Sequence, residues 1–210
     1  MTVSKLFSVL LLSILIAISS VYTQESSAFK WGIGVASPFV QSQYVIPAYP
    51  NTVISIPMFF SRQFKLEPFI SYSDFTDEQK REDETPYTLD VNYQNVAVGV
   101  GLFYSKPINT TRLHFGVQFG YVRSKYEYKY VYPNDANITE SNGDGYLISP
   151  IIGGEYFFSE HFSLGGQVHF EWYSVSSDET TSSEFENRKY ANSTTRKNTL
   201  GLIAVRFYFN

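Results

Sequence analysis

Bulky apolar residues alternate with small or polar residues along most of the chain. Trp31, Ile33 and Val35, for example, are separated by single glycines. Because successive side chains of a β-strand point to opposite faces, this period of two predicts strands with one bulky apolar face and one small or polar face. The series recurs, and eight strands are expected. Their first bulky residues are Trp31, Ile54, Leu66, Val96, Leu113, Tyr146, Leu164 and Ile203.

The segments between the predicted strands are alternately long and short, and the long ones are polar. The long segments are 41–51, 75–90, 127–143 and 177–195, and the short ones are 61–63, 106–110 and 159–161. Antiparallel strands with tight turns at one end and long loops at the other are typical of barrels that cross a membrane. The alternation continues through residues 126–132, so the fifth and sixth predicted strands are expected to extend above the membrane as a hairpin.

Aromatic residues make up 18% of the chain, and they concentrate near the ends of the predicted strands. At the short-turn end we expect Trp31, Phe60, Phe64, Tyr104, Phe158, Phe162, Phe207 and Phe209. At the long-loop end we expect Phe39, Tyr72, Tyr93, Tyr121, Tyr146 and Trp172. Two such groups with aliphatic residues between them predict the two aromatic belts that mark the interfaces of a bilayer.

The width of an eight-stranded barrel decides which face points inward. Its interior holds only side chains. The alternative is a soluble secreted barrel, in which the bulky face would point inward. It would overfill that interior and leave the glycine-rich and serine-rich face in water. The opposite arrangement places the bulky face in hydrocarbon, and closure keeps every backbone group paired. The sequence therefore predicts an all-β, eight-stranded antiparallel up-and-down transmembrane β-barrel.

The first residues have the features of a secretory signal peptide. Lys5 precedes an apolar run from Leu6 to Ile18, and small polar residues follow. The run is shorter than the roughly 20 residues of a membrane-spanning helix, although an uncleaved N-terminal anchor is the alternative. We expect residues 1–23 to be the signal peptide, with the cleavage site uncertain, and residues 24–210 to form the outer-membrane barrel domain.

Two segments resemble the small outer-membrane barrel family of Gram-negative bacteria, of the OmpX and OmpA-transmembrane-domain type. Residues 153–166, GGEYFFSEHFSLGG, read as a strand, a periplasmic turn and a strand. Residues 205–209, VRFYF, are similar to the final-strand signal that the barrel assembly machinery reads, although Asn210 follows the aromatic residue here. The resemblance implies an outer-membrane location, a porin-like fold, and lipid, lipopolysaccharide and the assembly machinery as partners. It implies no particular activity.

Polar residues on the small-residue face are candidates for a network inside the barrel. They are Lys65, Glu67, Glu155, Glu171, Arg206, His114, Gln118, Gln167 and His169. Buried charges must be paired, because an isolated one costs several kcal/mol. The expected arrangement is a salt-bridged plug that fills the lumen, and the alternative is a polar path or gated pore.

Other chemistry is weakly supported by the sequence. The chain has no cysteine, and its formal charge of −4 argues against nucleic acid as a partner. His114 and His169 lack a His-x-Ser spacing and lie on the inner face, so no catalytic residue, metal or cofactor is predicted. The charge-dense run 77–84 is expected to be a solvated loop.

The predicted function is a non-enzymatic surface protein with a structural, adhesive or defensive role and a partner at its loops. The alternatives are porin-like passive transport of small solutes and, less favoured, an enzyme acting on outer-leaflet lipid.

Overall fold

The alternating segments form long antiparallel strands that pair in sequence order. The computed structural model describes residues 30–40, 52–81, 87–132, 135–182 and 187–209. The predicted signal peptide lies outside these ranges. The strands are β1 (Lys30–Val40), β2 (Thr52–Ser55), β3 (Met58–Phe59), β4 (Phe64–Arg81), β5 (Tyr87–Ile108), β6 (Thr111–Tyr132), β7 (Asp135–Ser159), β8 (Phe162–Ser182) and β9 (Asn187–Phe209). Within the described ranges, no helix is long and apolar enough to cross a membrane.

The short strands β2 and β3 are two halves of one broken strand. Both pair with β1 on one side and with β4 on the other. Pro57 lies at the break, where it has no N–H to donate and its carbonyl accepts a hydrogen bond from the Gly32 amide at 2.9 Å. The nine segments therefore form eight barrel strands. Pairing of β1 with β9, from Trp31–Phe209 onward, closes the sheet and confirms the predicted eight-stranded barrel.

The predicted division between the two faces is present in the barrel wall. Val35, Phe115 and Ile152 on the bulky face are about half exposed on the outside, whereas Ala97 and Ser149 face inward and are buried. Leu66 is an exception, because it belongs to the bulky face but is only 5% exposed. Its register neighbours Met58 and Leu102 flank it on the two adjacent strands.

Most of the predicted long loops are strands, so that part of the sequence prediction was wrong. Residues 75–81, 87–90, 127–132, 135–143, 177–182 and 187–195 all belong to the ladders of β4 to β9. The hairpin predicted for residues 126–132 is confirmed, as β6 and β7 pair as far as Tyr132–Asp135. Segment 41–51 lies outside the described residues. At the other end, β5 and β6 meet in a two-residue turn in which Asn109 has a φ of 54°, a backbone conformation that asparagine tolerates.

Strands β4 to β9 continue well beyond the upper aromatic residues. About ten residues of each strand extend past this level, which at a rise of about 3.3 Å per residue is roughly 30 Å measured along the strand. We call this six-stranded continuation the extension. Its inner surface is continuous with that of the barrel.

Candidate functional site

Four charged side chains form a buried ion cluster in the lumen near the short-turn end. Lys65 Nζ lies 2.6 Å from Glu67 Oε2 and 3.7 Å from Glu155 Oε1. The guanidinium of Arg206 contacts the same two carboxylates, at 3.0 Å to Glu67 Oε1 and 2.7 Å to Glu155 Oε1. These four side chains are almost completely buried. Two cations and two carboxylates make the cluster neutral, which is the condition for burying charge at acceptable cost.

Two hydroxyl groups also donate hydrogen bonds to the carboxylates of the ion cluster. Ser55 donates a hydrogen bond of 2.7 Å to Glu67 Oε1, and Tyr208 donates one of 2.8 Å to Glu155 Oε2. The ring of Phe103 lies 4.4 Å from Lys65 Nζ and provides a cation–π contact. The sequence analysis missed these three partners. Tyr208 and Phe103 are bulky aromatic residues on the face that was expected to carry small or polar side chains.

A layer of histidine and glutamine side chains lies next to the ion cluster. His114 Nε2 and the amide nitrogen of Gln167 are 2.9 Å apart, and Gln167 Oε1 lies 3.2 Å from His169 Nε2. The ring of His114 also packs edge-on against Phe103, with centroids 5.7 Å apart. The structure therefore links three of the predicted lumen residues to one another, and Phe103 connects them to the ion cluster.

Two predicted lumen residues are not part of these contacts. Gln118 and Glu171 face inward and are buried. Within the described residues, Glu171 Oε2 has no hydrogen-bond partner. Described residues also hold no group of three or more His, Cys, Asp or Glu side chains suited to a metal ion. His114 and His169 lie in the packed polar layer. The hydrogen-bond partner described for both of them is Gln167, which is not a nucleophile.

Aromatic rings close the short-turn end below the ion cluster. Phe157 stacks on Tyr208 with centroids 5.5 Å apart, and Phe59 lies 5.8 Å from the same ring. The Arg112 guanidinium lies 4.2 Å from the centre of Phe59, and Lys30 Nζ lies 5.3 Å from the centre of Tyr208. Lys30 also donates a hydrogen bond to the Glu160 carbonyl. Above the polar layers, an apolar layer fills the lumen with Phe69, Ala97, Val122, Leu147, Tyr173 and Val175.

The predicted belt residues lie on the outer wall, with one correction. At the short-turn end the rings form a chain of contacts, including Trp31–Phe209 at 4.7 Å and Phe162–Phe207 at 5.1 Å between centroids. Further contacts in this chain are Phe64–Tyr104, Tyr104–Phe115, Tyr156–Phe158 and Phe158–Phe162. At the other end Phe39, Tyr72, Tyr146 and Trp172 are at least half exposed. The placement of Tyr93 in this belt was wrong, because its position in the β5 alternation points it into the barrel, where it is 7% exposed.

A cavity opens at the mouth of the barrel, on the inner face of the extension. Its volume is about 360 Å³, and five strands, β5 to β9, contribute to its wall. Tyr93, Tyr126 and Tyr173 line it together with serine, threonine and asparagine side chains. Above it, Tyr126, Tyr128 and Tyr130 stack at successive inward positions of β6, with 6.4 Å between neighbouring centroids, and Tyr87 stacks on Tyr130 at 4.9 Å. We call Tyr126, Tyr128, Tyr130 and Tyr87 the tyrosine ladder.

The electrostatic environment of Tyr126 keeps its hydroxyl protonated. Partial burial, the neighbouring Tyr128 and the carboxylate of Glu179 all raise the pKa of Tyr126 above its ordinary value. Since that ordinary value is already about 10, the hydroxyl is available as a hydrogen-bond donor across the physiological pH range. Glu179 itself accepts a hydrogen bond of 2.8 Å from the Asn192 amide.

The outer face of the extension differs in character from its inner face. Lys125, Glu127 and Glu140 line a surface groove there, and Lys80 forms an exposed ion pair of 2.6 Å with Glu78. Residues 77–81 of the predicted acidic loop are strand, and the rest of that loop lies outside the described residues. Exposed pairs of this kind contribute little to stability. The outer face is a solvated, charged surface, whereas the tyrosine-rich inner face is the candidate for recognition.

Replacing Tyr208 by phenylalanine is expected to reduce the free energy of unfolding by about 1.5–3 kcal/mol, because a buried hydrogen bond to a charged group is lost. Urea unfolding in lipid vesicles would measure the change. Tyr156→Phe is the matched control, since Tyr156 lies at the same end of the barrel but is exposed on the outer wall. Equal stabilities of the two variants would show that the Tyr208–Glu155 hydrogen bond does not stabilise the fold.

The geometry defines an integral outer-membrane β-barrel protein. The sheet is closed, its outer wall is apolar over the membrane-spanning part, and rings of aromatic residues border that zone. Such a surface is suited to hydrocarbon, because closure of the sheet leaves no open strand edge exposed to lipid. The end with tight turns is the periplasmic end in this class, and the extension is extracellular.

Comparison with known proteins gives weak similarities. No protein-family model matches the sequence, and no curated protein matches it. The chain is similar to a major outer membrane protein from Thermus thermophilus, with a TM-score of 0.48 and 13% identity over 87% of this chain and 100% of that chain. It is also similar to OprG from Pseudomonas aeruginosa, with a TM-score of 0.46 and 9% identity over 87% and 94% of the two chains. Ail, the attachment invasion locus protein of Yersinia pestis, solved with the heparin analogue sucrose octasulfate, has a TM-score of 0.42 and 10% identity over 86% and 99%. At these scores the assignment to the class rests on the barrel geometry.

Proposed function

We propose that the protein is a non-enzymatic outer-membrane protein that acts at the cell surface through its extension, in a structural, adhesive or defensive role. The observation that carries this proposal is the contrast between the two parts of the molecule. The membrane-spanning part is filled with packed side chains. The extracellular part is long and carries a cavity lined by tyrosine and small polar side chains.

Porin-like transport is the second candidate, and the contents of the lumen argue against it. A solute would have to pass an apolar layer, a hydrogen-bonded polar layer, a neutral ion cluster and an aromatic cap. The interior of an eight-stranded barrel is only wide enough for its own side chains. Catalysis is disfavoured for a similar reason, because the histidines lie in that packed interior and not at the rim where outer-leaflet lipid would be reached.

The expected binding partners follow from the location in the outer membrane. Aromatic belt residues and the exposed aliphatic wall between them would contact outer-membrane lipid and lipopolysaccharide, and the C-terminal strand β9 would be read by the barrel assembly machinery. A further partner would bind outside the cell, at the extension. The sequence predicts no nucleic acid partner, and the acidic net charge supports that.

Shortening one extracellular hairpin tests the proposal directly. Glu127 and Glu140 face each other in the β6–β7 ladder, so residues 128–139 can be replaced by Asn-Gly without changing the register of the barrel. We expect cells producing the shortened protein to lose most of their adherence to protein-coated surfaces or their resistance to serum. A variant that keeps the hairpin length but replaces Lys125 and Lys129 by glutamine controls for surface charge. Unchanged adherence and resistance after shortening both this hairpin and the β8–β9 hairpin would overturn the proposal.

A sealed lumen predicts that the purified protein carries no ion current in a planar bilayer. Steps of well-defined conductance from the unmodified protein would favour transport over a surface role. A variant in which Phe69, Leu147 and Tyr173 are replaced by serine would serve as a reference for a loosened apolar layer. Insertion of both proteins would be verified by their different gel migration before and after boiling.

A further inference from the structure

The side chains that line the cavity at the mouth indicate which class of ligand it could bind. Its wall combines tyrosine rings with small hydroxyl and amide side chains, and Val175 provides an apolar contact at its base. Binding sites for small ligands typically have volumes of roughly 300–1,000 Å³, and the cavity of about 360 Å³ lies within that range.

The aromatic part of the wall offers flat apolar faces with polar edges. Tyr126 is half-buried and lies at the base of the tyrosine ladder, which leads upward from the cavity along β6. A tyrosine ring presents an apolar face and a hydroxyl that can donate and accept a hydrogen bond. Rings of this type, fixed by stacking on each other, bind a ligand face with little loss of conformational entropy.

The polar part of the wall is almost entirely neutral. Ser124, Ser141, Ser177 and Thr194 carry hydroxyls that both donate and accept hydrogen bonds. Of the described residues that line the cavity, Glu179 alone is charged, and Asn192 donates a hydrogen bond to its carboxylate. The described lining residues provide no cationic counter-charge for sulfate, phosphate or carboxylate groups, and Glu179 would repel them.

We propose that the cavity and the tyrosine ladder form a binding site for a neutral oligosaccharide. A pyranose ring has an apolar C–H face and a rim of hydroxyl groups, so it matches a wall that alternates ring faces with hydroxyls. The cavity has room for one or two sugar rings, and the ring edges and hydroxyls of Tyr128, Tyr130 and Tyr87 offer further contacts outward. This inference deepens the proposed surface function, because it names the ligand class through which the extension would act.

The test uses the full mature chain, refolded in a zwitterionic detergent so that no sugar-headed detergent competes. Isothermal titration and tyrosine fluorescence would follow binding of four neutral hexasaccharides, of the α-1,4-glucan, β-1,4-glucan, mannan and chitin types, and of a heparin hexasaccharide. We expect saturable binding of at least one neutral probe below about 10 mM, and at least tenfold weaker binding of the sulfated probe.

Substitutions then locate the site. Tyr126→Ala is expected to weaken binding of the neutral probe about five- to tenfold, whereas Tyr126→Phe keeps the ring and retains most of the affinity. Lys125→Ala is the matched control, because Lys125 is the adjacent residue on the outer face and its loss is expected to leave affinity unchanged. A difference in gel migration before and after boiling would show that each variant is folded.

The outcomes separate this proposal from the surface function on which it rests. Absence of binding by all four neutral probes, preference for the sulfated probe, or equal effects of Tyr126→Ala and Lys125→Ala would each overturn the neutral-oligosaccharide site. Loss of adherence on hairpin shortening would still support a surface role. Repeating the titration with polysaccharide from the producing cell and with glycans from an external surface would distinguish the two sources of such a ligand.

Discussion

Replacing Arg206 by methionine is expected to destabilise the folded barrel by about 3–5 kcal/mol, the cost of leaving a buried charge without its partner. Arg206 contacts both carboxylates of the ion cluster. Without it, Lys65 alone faces Glu67 and Glu155, and one negative charge remains uncompensated in the buried cluster. Equilibrium unfolding by urea in lipid vesicles would measure the loss.

A second substitution separates the charge effect from the packing effect. Adding Glu155→Gln to Arg206→Met makes the cluster neutral again, so the double variant is expected to recover a substantial part of the lost stability. Arg123→Met, at an exposed position of β6, is the control for removing an arginine and is expected to change stability by less than about 0.5 kcal/mol. Similar stabilities for Arg206→Met and Arg123→Met would refute the account of the ion cluster.

Introducing arginine at Val168 is expected to cost about 2–4 kcal/mol of folding free energy in a bilayer. Val168 lies on the outer wall of β8, about midway between the aromatic residues Phe162 and Trp172, and it is partly exposed. In a bilayer, the guanidinium would be placed near the middle of the hydrocarbon. The same vesicle-based unfolding assay would report the difference.

Ser176→Arg is the matched control, because Ser176 lies on the same strand and the same face but within the extension, in water. Its effect is expected to be less than about 0.5 kcal/mol. If both arginine variants were equally stable, the outer wall of β8 would not face lipid, and the assignment of inside and outside would be reversed.

The barrel wall could be predicted from the sequence because both of its environments select side chains strongly. Between Leu113 and Tyr121, for example, hydrocarbon on one side and a narrow lumen on the other enforce an alternation of bulky with small or polar residues. Pairing of Lys65 with Glu67 and Glu155 was anticipated as part of a plug, since charges in a lumen must be neutralised. The particular contacts depend on strand stagger, which a pattern of period two does not specify.

The strands of the extension could not be predicted, because their two faces do not lie in environments as different as hydrocarbon and a narrow lumen. In residues 127–143 and 177–195, water is present on at least one side of the sheet, so polar residues occur on both faces and the alternation is weak. These stretches resemble loops in sequence, although their described residues pair in regular ladders. The inward aromatic residues Phe59 and Phe157 were missed for a different reason. With Tyr208 they cap the lumen at the short-turn end, where aromatic rings take the place of small inward residues.

The ion cluster also has a consequence for the order of assembly. Glu67 on β4 and Arg206 on β9 are separated by 139 positions in the chain, and they meet only when the sheet has curled round. Arg206 lies opposite Gly34 at the seam between β9 and β1, where the barrel closes. A partly zipped sheet in the bilayer would therefore hold an excess carboxylate until the last strand arrives. Closure of the β9–β1 seam brings Arg206 to both carboxylates and completes the hydrogen-bonded wall, so a half-closed sheet is expected to be unfavourable and closure to be cooperative.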